Sequence, residues 1–511
     1  MLTKIDSWVK TCASSHVVCN SAVLVVRHRP GRLLKLDGKV RLVSPTEVVR
    51  FAALSYCWGL YEQPKTTKDN LWQRTDSFDI AKLPQTLLDA IFVARGLGLS
   101  YIWIDSLCIV QDDPQDWATE SAKMADIYSG AYVVLAATHA SDVSQGFLQP
   151  RKGPISISTR SSRNHAISVE ARRVNNHDRY GLMTDGCLYM DNLPLSQRGW
   201  SMQERLLGTR VVHFLLDEVC FECKIESHCE CGLVVRHRYR LTTWPPLGMS
   251  ELSEAPDKDP DGFHFSSEWA YLAEEFSVRY LKFPEDALPA LSGIAQRTQG
   301  IHAGKYIAGL WERGFVWQLS WTVVETPVGP EKSEVITRPS FSWITATRKV
   351  EYDFGQWATP PRLTCVLMMA ETSPSTVDPF GRIAHAKVVL RGPVLTGTEF
   401  IRSCTREWLD DVYPWLYLDA GLHYPTRSNL SLCSTRSTQF EGLESALDWD
   451  LVLCLGLFEG VTVTRSREES AVLLLVRRVP DRDEYERVGV IWWMRKEWFS
   501  KRAVEHTVTL I

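Results

Sequence analysis

The sequence predicts an α/β fold with a parallel sheet in its N-terminal half, followed by a mixed α+β, β-rich C-terminal region. Strand-like and helix-like patterns alternate between residues 51 and 147, and short strand-like runs prevail after about residue 340. Residues 245–265, rich in Pro, Gly and acidic side chains, are typical of a linker. The expected parts are an N-terminal segment with Cys and His at 1–50, a first domain at 51–235 with an insertion at about 149–192, a linker or long loop at 236–265, and a C-terminal region at 266–511.

The first domain begins with two buried strands separated by a helix. Residues 51–56 (FAALSY) form a short apolar run before a Cys-Trp-Gly sequence, which predicts a buried strand. Leu83-Pro84 is expected to open a helix with apolar residues on one face, which Gly96 and Gly98 stop. Residues 101–110 (YIWIDSLCIV) are too apolar for a half-exposed strand, so we predict a central strand with Asp105 near its carboxyl end.

The remainder of the first domain continues this pattern. Asp116 can cap the amino end of the next helix, and residues 132–137 (YVVLAA) predict the third strand. A short helix is predicted at 200–207 (WSMQERLL), followed by strands near 211–214 and 219–223. Two strand-helix repeats and a third strand therefore precede the insertion.

The C-terminal region is expected to hold two helices and then several strands. Apolar residues from Trp269 to Tyr280 recur with helical spacing, and residues 287–295 (ALPALSGIA) predict a second helix that ends at Gly293. The predicted strands lie at 363–369, 386–390, 451–457, 471–476 and 488–493.

Charge and hydrophobicity exclude several classes of protein. The 511 residues include 57 Lys and Arg against 61 Asp and Glu, so the chain lacks the broad basic field of proteins that bind nucleic acid. Hydrophobic residues make up 45% and charged residues 23%, as in folded globular proteins rather than disordered chains. The 13 Cys, an odd number, favour reduced thiols over a disulfide framework.

The sequence predicts neither a targeting signal nor a membrane-spanning segment. Residues 1–10 carry charged side chains and lack the apolar core of a secretory signal. The longest apolar runs fall well short of the ~20 residues that a membrane-spanning helix needs. We therefore expect a cytoplasmic protein with no membrane span and no nucleic acid partner.

Polar residues at the predicted carboxyl ends of the strands mark a candidate crevice. Ligands of open α/β sheets bind outside the carboxyl ends of the strands, where Ser55, Asp105 and Ser106 are expected. Trp58, just after the first strand, either stacks on a planar ligand or fills the space between sheet and helix. The sequence favours neither reading of this tryptophan.

Glu204 is the main catalytic candidate. It follows Trp200 by one helical turn, so both side chains project from one face of the predicted helix. An indole beside a carboxylate removes water from it and can poise it for catalysis. The alternative, which spacing alone favours, is a surface ion pair of Glu204 with Arg198 or Arg205.

Two groups of Cys and His residues are candidate metal ligands. The first group, with the pattern C-x₃-H-x₂-C, is Cys12, His16 and Cys19. The second group is Cys220, Cys223, His228, Cys229 and Cys231. Neither has a common zinc spacing, so core or loop thiols are favoured and no metal is predicted. A metal-dependent hydrolase that uses the thiols of the second group stays open as a third functional class.

Four blocks of sequence stand out when they are taken together. They are residues 53–59 (ALSYCWG), 83–98 (LPQTLLDAIFVARGLG), 101–130 (YIWIDSLCIVQDDPQDWATESAKMADIYSG) and 198–207 (RGWSMQERLL). In this order they resemble the heterokaryon-incompatibility (HET) domain of filamentous fungi. Flanking features are also similar to that family: Trp8 with Cys12, His16 and Cys19, residues 306–311 (YIAGLW) and residues 339–343 (PSFSW).

The resemblance implies an effector of fungal non-self recognition, or vegetative incompatibility, that triggers programmed cell death. The HET family in turn resembles Toll/interleukin-1 receptor (TIR) domains, some of which cleave NAD. This second resemblance implies a TIR-like, flavodoxin-like strand order in the first domain. It also makes the chain an NAD glycohydrolase candidate, with NAD as substrate and no bound cofactor.

The TIR resemblance also implies roles for individual residues. The TIR glutamate lies in a Trp-Cys-x-x-Glu pattern, and Trp200 and Glu204 have the same spacing, with Ser201 in place of the cysteine. Glu204 and Trp200 are therefore the implied catalytic residues, and Glu120, which follows another tryptophan, is the second candidate. The residues implied to bind the nucleotide are Ser55, Tyr56, Trp58, Asp105 and Ser106.

A non-catalytic signalling module is the alternative function. It would act as a scaffold, by self-association through the HET domain or by recruitment of an incompatibility partner protein. An enzyme should stop killing cells when Glu204 is replaced by Ala, whereas a scaffold should continue to kill.

Overall fold

The computed structural model divides into two compact units, Met1–Pro246 and Leu247–Ile511. The residues that the structure describes are 1–20, 30–150, 155–160, 165–171, 193–236, 259–299, 303–323, 339–346, 349–357, 360–406, 415–419, 430–431, 447–462 and 469–511. Most of the predicted linker, residues 237–258, lies outside these ranges.

Within the described residues, the first unit contains a mixed sheet of nine strands and a separate hairpin. The strands are β1 (Leu33–Lys35), β2 (Arg41–Val43), β3 (Ala52–Ser55), β4 (Tyr101–Trp103), β5 (Val133–Ala136), β6 (Ile155–Arg160), β7 (Ala166–Ala171), β8 (Arg210–Phe214), β9 (Val219–Cys223), β10 (Glu226–Cys229) and β11 (Val234–Arg236). Their order in the sheet is β11-β10-β9-β8-β5-β3-β4-β1-β2. The pairs β4–β3, β3–β5 and β5–β8 are parallel.

The predicted α/β class is confirmed, but the prediction of a parallel sheet is wrong at both sides of the sheet. Strands β1 and β2 are antiparallel to their neighbours on one side, and β9 to β11 are antiparallel on the other. The turn from β8 to β9 shows why, since Leu215 N–H donates to Glu218 O across it. A connection this short can only return the chain antiparallel. The sheet also takes β1 and β2 from the predicted 1–50 segment.

The described helices of the first unit are α1 (Leu2–Ser15), α2 (Leu71–Asp76), α3 (Gln85–Gly96), α4 (Asp105–Cys108), α5 (Pro114–Ala122), α6 (Met124–Gly130) and α7 (Gly199–Leu207). The helix predicted after Leu83-Pro84 corresponds to α3, and the helix predicted at 200–207 corresponds to α7. Helices α1, α2 and α4 were not predicted.

The strand predicted at 101–110 ends at Trp103, and the helix α4 begins at Asp105. The Asp105 carboxylate accepts from Ser106 N–H, and the Cys108 N–H donates to Ile104 O. An apolar run alone cannot separate a buried strand from a short buried helix, which is why the prediction was too long.

Asp113, not Asp116, caps helix α5. Its carboxylate accepts from the backbone N–H groups of Gln115 and Asp116. Pro114 occupies the first helical position, where proline needs no intrahelical partner. The Asp116 carboxylate instead accepts from Arg32 and from Val110 N–H.

The core of the first unit lies on both faces of the central parallel strands. Leu54, Ile102 and Leu135 are fully buried, one from each of β3, β4 and β5. Leu87 and Val93 of α3 are fully buried in the same cluster. Strands covered on both faces read as nearly continuous apolar runs, so the sequence could predict them.

The predicted insertion at about 149–192 contains the hairpin of β6 and β7, which pair antiparallel with one another. Ile155 and Ile167 on this hairpin are exposed. Residues 172–192, most of the remaining insertion, lie outside the described part of the chain.

The second unit begins with helices and continues with long strands. Its helices are α8 (Phe263–Ser277), α9 (Ala287–Gln299), α10 (Phe315–Gln318), α11 (Gly397–Arg406) and α12 (Lys496–Ser500). Its strands are β12 (Tyr306–Ile307), β13 (Leu310–Trp311), β14 (Thr322–Val323), β15 (Val350–Glu351), β16 (Arg362–Leu363), β17 (Val366–Pro374), β18 (Ile383–Thr396), β19 (Trp415–Leu418), β20 (Leu430–Ser431), β21 (Val452–Val461), β22 (Glu469–Arg478), β23 (Tyr485–Arg495) and β24 (Val504–Leu510). The predicted β-rich C-terminal region is therefore confirmed, although most strands exceed their predicted lengths.

Helix α9 runs through Gly293, where the sequence predicted its end. Gly293 is buried within this helix, as are Leu291 and Ile294. Tertiary packing can carry a helix through a glycine that costs only ~1 kcal/mol relative to alanine.

Five strands of the second unit pair in a closed circuit. Strand β18 pairs with β21 and β24, β22 pairs with β21 and β23, and β23 pairs with β24. Leu473, Leu475 and Ile491 are fully buried in the adjoining core cluster.

Two buried tryptophans of the second unit donate hydrogen bonds to the same backbone carbonyl group. The indole N–H groups of Trp269 and Trp343 both donate to Gly309 O, each at 2.9 Å. Gly309 has a φ of 95°, in the region that favours glycine. The two blocks at 306–311 and 339–343 are thus joined through one carbonyl group.

Within the described residues, no helix combines the length and the apolar character needed to cross a membrane.

Candidate functional site

The site is built at the carboxyl ends of the parallel strands, where β3 ends at Ser55 and β4 at Trp103. The Ser55 hydroxyl donates to Glu204 Oε2 of helix α7. Ser55 is 3% exposed and Glu204 is 2% exposed. The fold thus brings together two predicted site residues that are 149 positions apart in the sequence.

Tyr56 and Ser106 connect the ends of β3 and β4. The Tyr56 hydroxyl lies 3.0 Å from Ser106 Oγ and 2.8 Å from Gln63 Oε1, with all three side chains buried. Burial raises the pKa of Tyr56 well above its usual value, so this hydroxyl stays protonated. Both residues therefore support the inside of the site as neutral hydrogen-bonding groups.

Trp58 and Asp105 form the partly exposed side of the site. The indole N–H of Trp58 donates to Asp105 Oδ2 at 2.8 Å, and Lys65 Nζ lies 5.4 Å from the centre of the indole ring. Burial raises the pKa of Asp105, while the charge of Arg198 and the indole hydrogen bond act in the opposite direction. The structure thus ties Trp58 to a predicted nucleotide-binding carboxylate.

Arg198 supplies positive charge to both carboxyl groups of the site. It lies one residue before helix α7, and its guanidinium donates to Tyr56 O. Its charge favours the ionised forms of Glu204 and Asp105. From the sequence, Arg198 is expected only as a surface ion-pair partner of Glu204. In the structure, both side chains belong to the largely buried candidate site.

Burial raises the pKa of Glu204 to about 7. The Arg198 charge and the hydrogen bond from Ser55 lower this pKa, and the charge of Asp105 raises it. A carboxyl group with a pKa near neutral is populated in both protonation states and suits proton transfer or charge stabilisation at physiological pH.

Two further side chains near Glu204, Tyr128 and Cys57, hold no charge at neutral pH. Tyr128 of α6 is fully buried, and its hydroxyl donates to Leu54 O at 3.0 Å. Burial raises the pKa of the Cys57 thiol to about 11, and so keeps it protonated. Sequence reasoning missed both residues because their contacts to the site are tertiary.

Trp200 packs against another tryptophan. Its ring meets the ring of Trp117 of α5 edge to face, with the centres 6.4 Å apart. This contact joins α5 to α7. The predicted contact between the Trp200 indole and the Glu204 carboxylate stays a prediction.

Glu120, the second catalytic candidate, is buried among different partners. Its Oε1 accepts from Lys123 Nζ at 2.9 Å, and a Cβ atom on Gly31 would lie 2.6 Å from the same oxygen. The charge of Glu120 also acts on Arg32. These contacts give Glu120 a structural role between α5 and the segment before β1.

A buried ion-pair network holds helix α7 against the sheet. Arg205 donates to both carboxylate oxygens of Glu222 on β9, at 2.8 and 3.0 Å. His213 Nε2 of β8 lies 3.0 Å from Glu222 Oε1, and its Nδ1 lies 3.1 Å from Thr138 Oγ1. The predicted surface pairing of Arg205 with Glu204 is replaced by this interaction, which leaves Glu204 facing Ser55.

The loop after β3 is fixed by Asp142. Asp142 Oδ2 accepts from the backbone N–H groups of Leu60 and Tyr61. Gly59 has a φ of 70°, and a Cβ atom there would lie 2.0 Å from the same carboxylate. The Cys-Trp-Gly sequence therefore needs its glycine, and the turn directs Trp58 toward Asp105.

The members of the second Cys group lie in two different places in the structure. Cys223 lies with the first group, and the ligand atoms of Cys12, His16, Cys19 and Cys223 are all within 4.8 Å of one another. The four thiols of the second group therefore do not converge, because Cys223 ends strand β9 on the side of α1. Sequence spacing could not reveal this, since 207 positions separate His16 from Cys223.

The remaining thiols of that group lie beside Glu218. Cys229 Sγ donates to Glu218 Oε2 at 2.9 Å, and Cys231 lies within 4.8 Å of the same carboxylate. Cys220 faces Cys229 directly across the β9–β10 pair and joins an apolar cluster with Leu215.

Comparison with known proteins identifies the segment that carries the site. Residues 51–204 match the family model described as Heterokaryon incompatibility protein (HET). The matched segment begins one residue before β3 and ends at Glu204, so it includes Ser55, Asp105 and Arg198 as well. No curated protein and no solved structure matches the chain.

Proposed function

Because residues 51–204 form a HET domain, we propose that the chain is a cytoplasmic effector of fungal non-self recognition that triggers programmed cell death by cleaving NAD. The HET match supports the incompatibility role. The parallel strands β4-β3-β5-β8, which are second, first, third and fourth along the chain, support the TIR-like part, because flavodoxin-like sheets begin with the same order.

The observation that carries the proposal is the buried pair of Ser55 and Glu204 at the carboxyl ends of these strands. Ligands of such sheets bind at this edge. Burial raises the pKa of Glu204 to about 7, so a substantial part of it is ionised at neutral pH. A carboxylate in a site with little water interacts strongly with positive charge that develops in a transition state.

The proposed reaction breaks the bond between the nicotinamide nitrogen and the ribose. The bond electrons leave with nicotinamide, which becomes neutral, and the ribose carbon becomes an oxocarbenium-like cation. Glu204 stabilises that cation and accepts a proton from the water that adds to it, as carboxylates do in glycoside hydrolysis. The products are nicotinamide, ADP-ribose and one proton.

The partly exposed residues of the site would meet the substrate first. Trp58 offers a flat ring, and Asp105, whose orientation is set by the Trp58 indole, offers a carboxylate to ribose hydroxyl groups. Glu204 is only 2% exposed, so the reacting end of the substrate must displace neighbouring side chains to reach it.

The test is NAD hydrolysis by the purified full chain. Glu204→Gln, which keeps the size of the side chain and removes its charge, should lower the turnover about 10²–10³-fold. Glu120→Gln is the matched control, because Glu120 is a buried glutamate of the same domain with partners outside the site. Equal turnover in wild type and Glu204→Gln would refute the mechanism.

A non-catalytic scaffold is the second candidate, and exposed apolar residues of the same domain favour it. Leu60 is fully exposed and Tyr61 is 53% exposed, in the turn that Asp142 fixes. Rigid exposed apolar side chains are typical of association surfaces. On this reading Glu204→Gln still kills cells, and Leu60→Ser with Tyr61→Ser abolishes both killing and self-association. On the enzymatic reading, NAD falls before death, and both effects need Glu204.

A further inference from the structure

We propose a structural zinc site that fastens helix α1 to strand β9, with four ligands: Cys12, His16, Cys19 and Cys223. We call it the Cys₃His site. It is independent of the proposed NAD chemistry.

The four ligand atoms lie close to the spacing that zinc requires. All four lie within 4.8 Å of one another, and His16 Nδ1 is 3.4 Å from Cys223 Sγ. Tetrahedral zinc with Zn–S bonds of ~2.3 Å and Zn–N bonds of ~2.0 Å places neighbouring ligand atoms ~3.5–3.8 Å apart. A contraction of a few tenths of an ångström to one ångström would therefore complete the coordination.

The ligands come from helix α1, from the residues directly after it and from strand β9. Cys12 lies on helix α1 and His16 follows one turn later, so their side chains share a face. Cys19 comes three residues further on, and Cys223 is the last residue of β9. The residues Cys12, Cys19 and Cys223 are 1%, 0% and 3% exposed. None of their thiols is in a disulfide.

The surroundings of the ligands match those of a zinc site. His16 directs Nδ1 to the thiols, and its Nε2 lies 3.6 Å from Glu226 Oε1. This contact is longer than a hydrogen bond, and a shift of a few tenths of an ångström would form one. A carboxylate that is hydrogen-bonded to the far nitrogen of a ligand histidine orients the ring and raises its basicity. Glu226 itself is held by His228 Nε2 at 2.7 Å.

The charge of the occupied site would be balanced. Three thiolates and a zinc ion leave one negative charge, and the guanidinium of Arg210 donates to Cys12 Sγ at 3.2 Å. Arg210 is 2% exposed and is also fixed through Asn20 Oδ1 at 2.7 Å. A buried arginine beside a thiol group is costly unless it faces an anion, which a zinc-bound thiolate supplies.

The donor set indicates a structural role rather than a catalytic one. Four protein ligands leave no open coordination position for water or substrate. The other metal-compatible group, Glu218 with Cys229 and Cys231, provides three ligand atoms and no histidine. Its thiols adjoin an apolar cluster, and it provides the comparison for the test.

The test is the zinc content of the purified full chain, measured by mass spectrometry after dialysis against metal-free buffer. Wild type should hold one zinc per chain. His16→Ala and Cys223→Ser should each lose about tenfold or more of the bound zinc, because each removes a ligand. Cys229→Ser, a matched buried thiol outside the site, should keep it.

A binding-competent variant separates metal loss from misfolding. His16→Cys supplies a fourth thiolate and should still bind one ion. Loaded with Co²⁺, the wild type should show the intense visible absorption of tetrahedral thiolate coordination, and His16→Cys should shift those bands. Zinc well below one per chain in the wild type, or zinc that survives Cys223→Ser but is lost in Cys229→Ser, would overturn the proposal.

Discussion

The chemistry of the candidate site depends on one carboxyl group that the fold makes reluctant to ionise. Glu204 lies in the interior with Ser55, and burial outweighs the favourable charge of Arg198. The penalty for ionising such a group is a property of the folded state, so it can be measured as a stability that changes with pH.

Glu204→Gln should reveal this penalty directly. The pKa of Glu204 is about 7 in the folded chain, against a usual value of 4.5, so the folded state binds more protons between those two values. Stability conferred by the neutral form is therefore lost as the pH rises from 4.5 to 7, in total by about 3 kcal/mol. Relative to wild type, Glu204→Gln should gain about that much stability between pH 4.5 and pH 8, as measured by urea unfolding. A constant difference across this range would contradict the assignment.

Arg198→Gln tests the charge that opposes the burial. Removing the guanidinium takes away the main interaction that favours the ionised form of Glu204, so the pKa of Glu204 should rise above 7. The stability difference between the single variant Arg198→Gln and the double variant Arg198→Gln/Glu204→Gln should change with pH. Its midpoint should lie at a higher pH than the midpoint of the difference between wild type and Glu204→Gln. Lys123→Gln, which removes a cation paired with Glu120, is the control and should leave the midpoint in place.

The sequence identified most members of this site but not their partners. Ser55, Asp105 and Glu204 could be predicted because each lies at a strand end or in a distinctive block. Arg198 was considered only for a surface ion pair, since spacing along a helix carries no information on burial. Cys223 was assigned to the wrong Cys group because its partners are distant in sequence and close only in the folded chain.

At the scale of elements, helix α7 is the part that must be held in place. It carries Glu204 on one side and Arg205 on another, and Arg205 is joined to Glu222 of β9 by two hydrogen bonds. Burial opposes ionisation of Glu222, but the charges of Arg205 and His213 outweigh it and hold the pKa of this carboxyl group well below its usual value. The network thus links the catalytic candidate to the antiparallel side of the sheet.

Glu222→Gln should destabilise the chain by about 3–5 kcal/mol at neutral pH, because it leaves the buried guanidinium of Arg205 without a counter-charge. Urea unfolding measures the loss. Asp6→Asn, which breaks the exposed pair with Lys10 on α1, is the control and should leave the stability nearly unchanged. Replacing both Arg205 and Glu222 by Leu should recover part of the loss. An unchanged stability in Glu222→Gln would show that the pair does not hold α7.

The elements themselves could be predicted where the pattern was strong. Buried strands β3 and β5 and helix α3 were found from apolar runs and helix-ending glycines, since these signals are local. Helix α4 was missed because an apolar run fits a strand or a buried turn of helix equally well. The antiparallel sides of the sheet depend on turn length and pairing, which periodicity does not report.

At the scale of the whole molecule, each of the two compact units contains a hydrophobic cluster within the described residues. The cluster around β3, β4 and β5 belongs to the first unit, and the cluster around β21, β22 and β23 belongs to the second. A perturbation of the first cluster should open the elements that pack in that cluster. The proposed Cys₃His site gives a way to perturb them.

Removing zinc should loosen the elements of the first unit that carry the four ligands. Without the ion, the three thiols and His16 no longer hold α1 to the end of β9, and local opening of these elements becomes less costly. Hydrogen–deuterium exchange of the full chain, with and without a chelator, should show faster exchange in α1 and β9, and next in β8, which pairs with β9. Peptides from β21 and β22 should exchange as before and serve as the internal control.

Cys223→Ser should reproduce the chelator effect without chelator, and Cys229→Ser should respond to chelator as wild type does. Equal acceleration in α1 and in β21 would contradict a local effect of the zinc, and no acceleration in α1 would contradict its structural role.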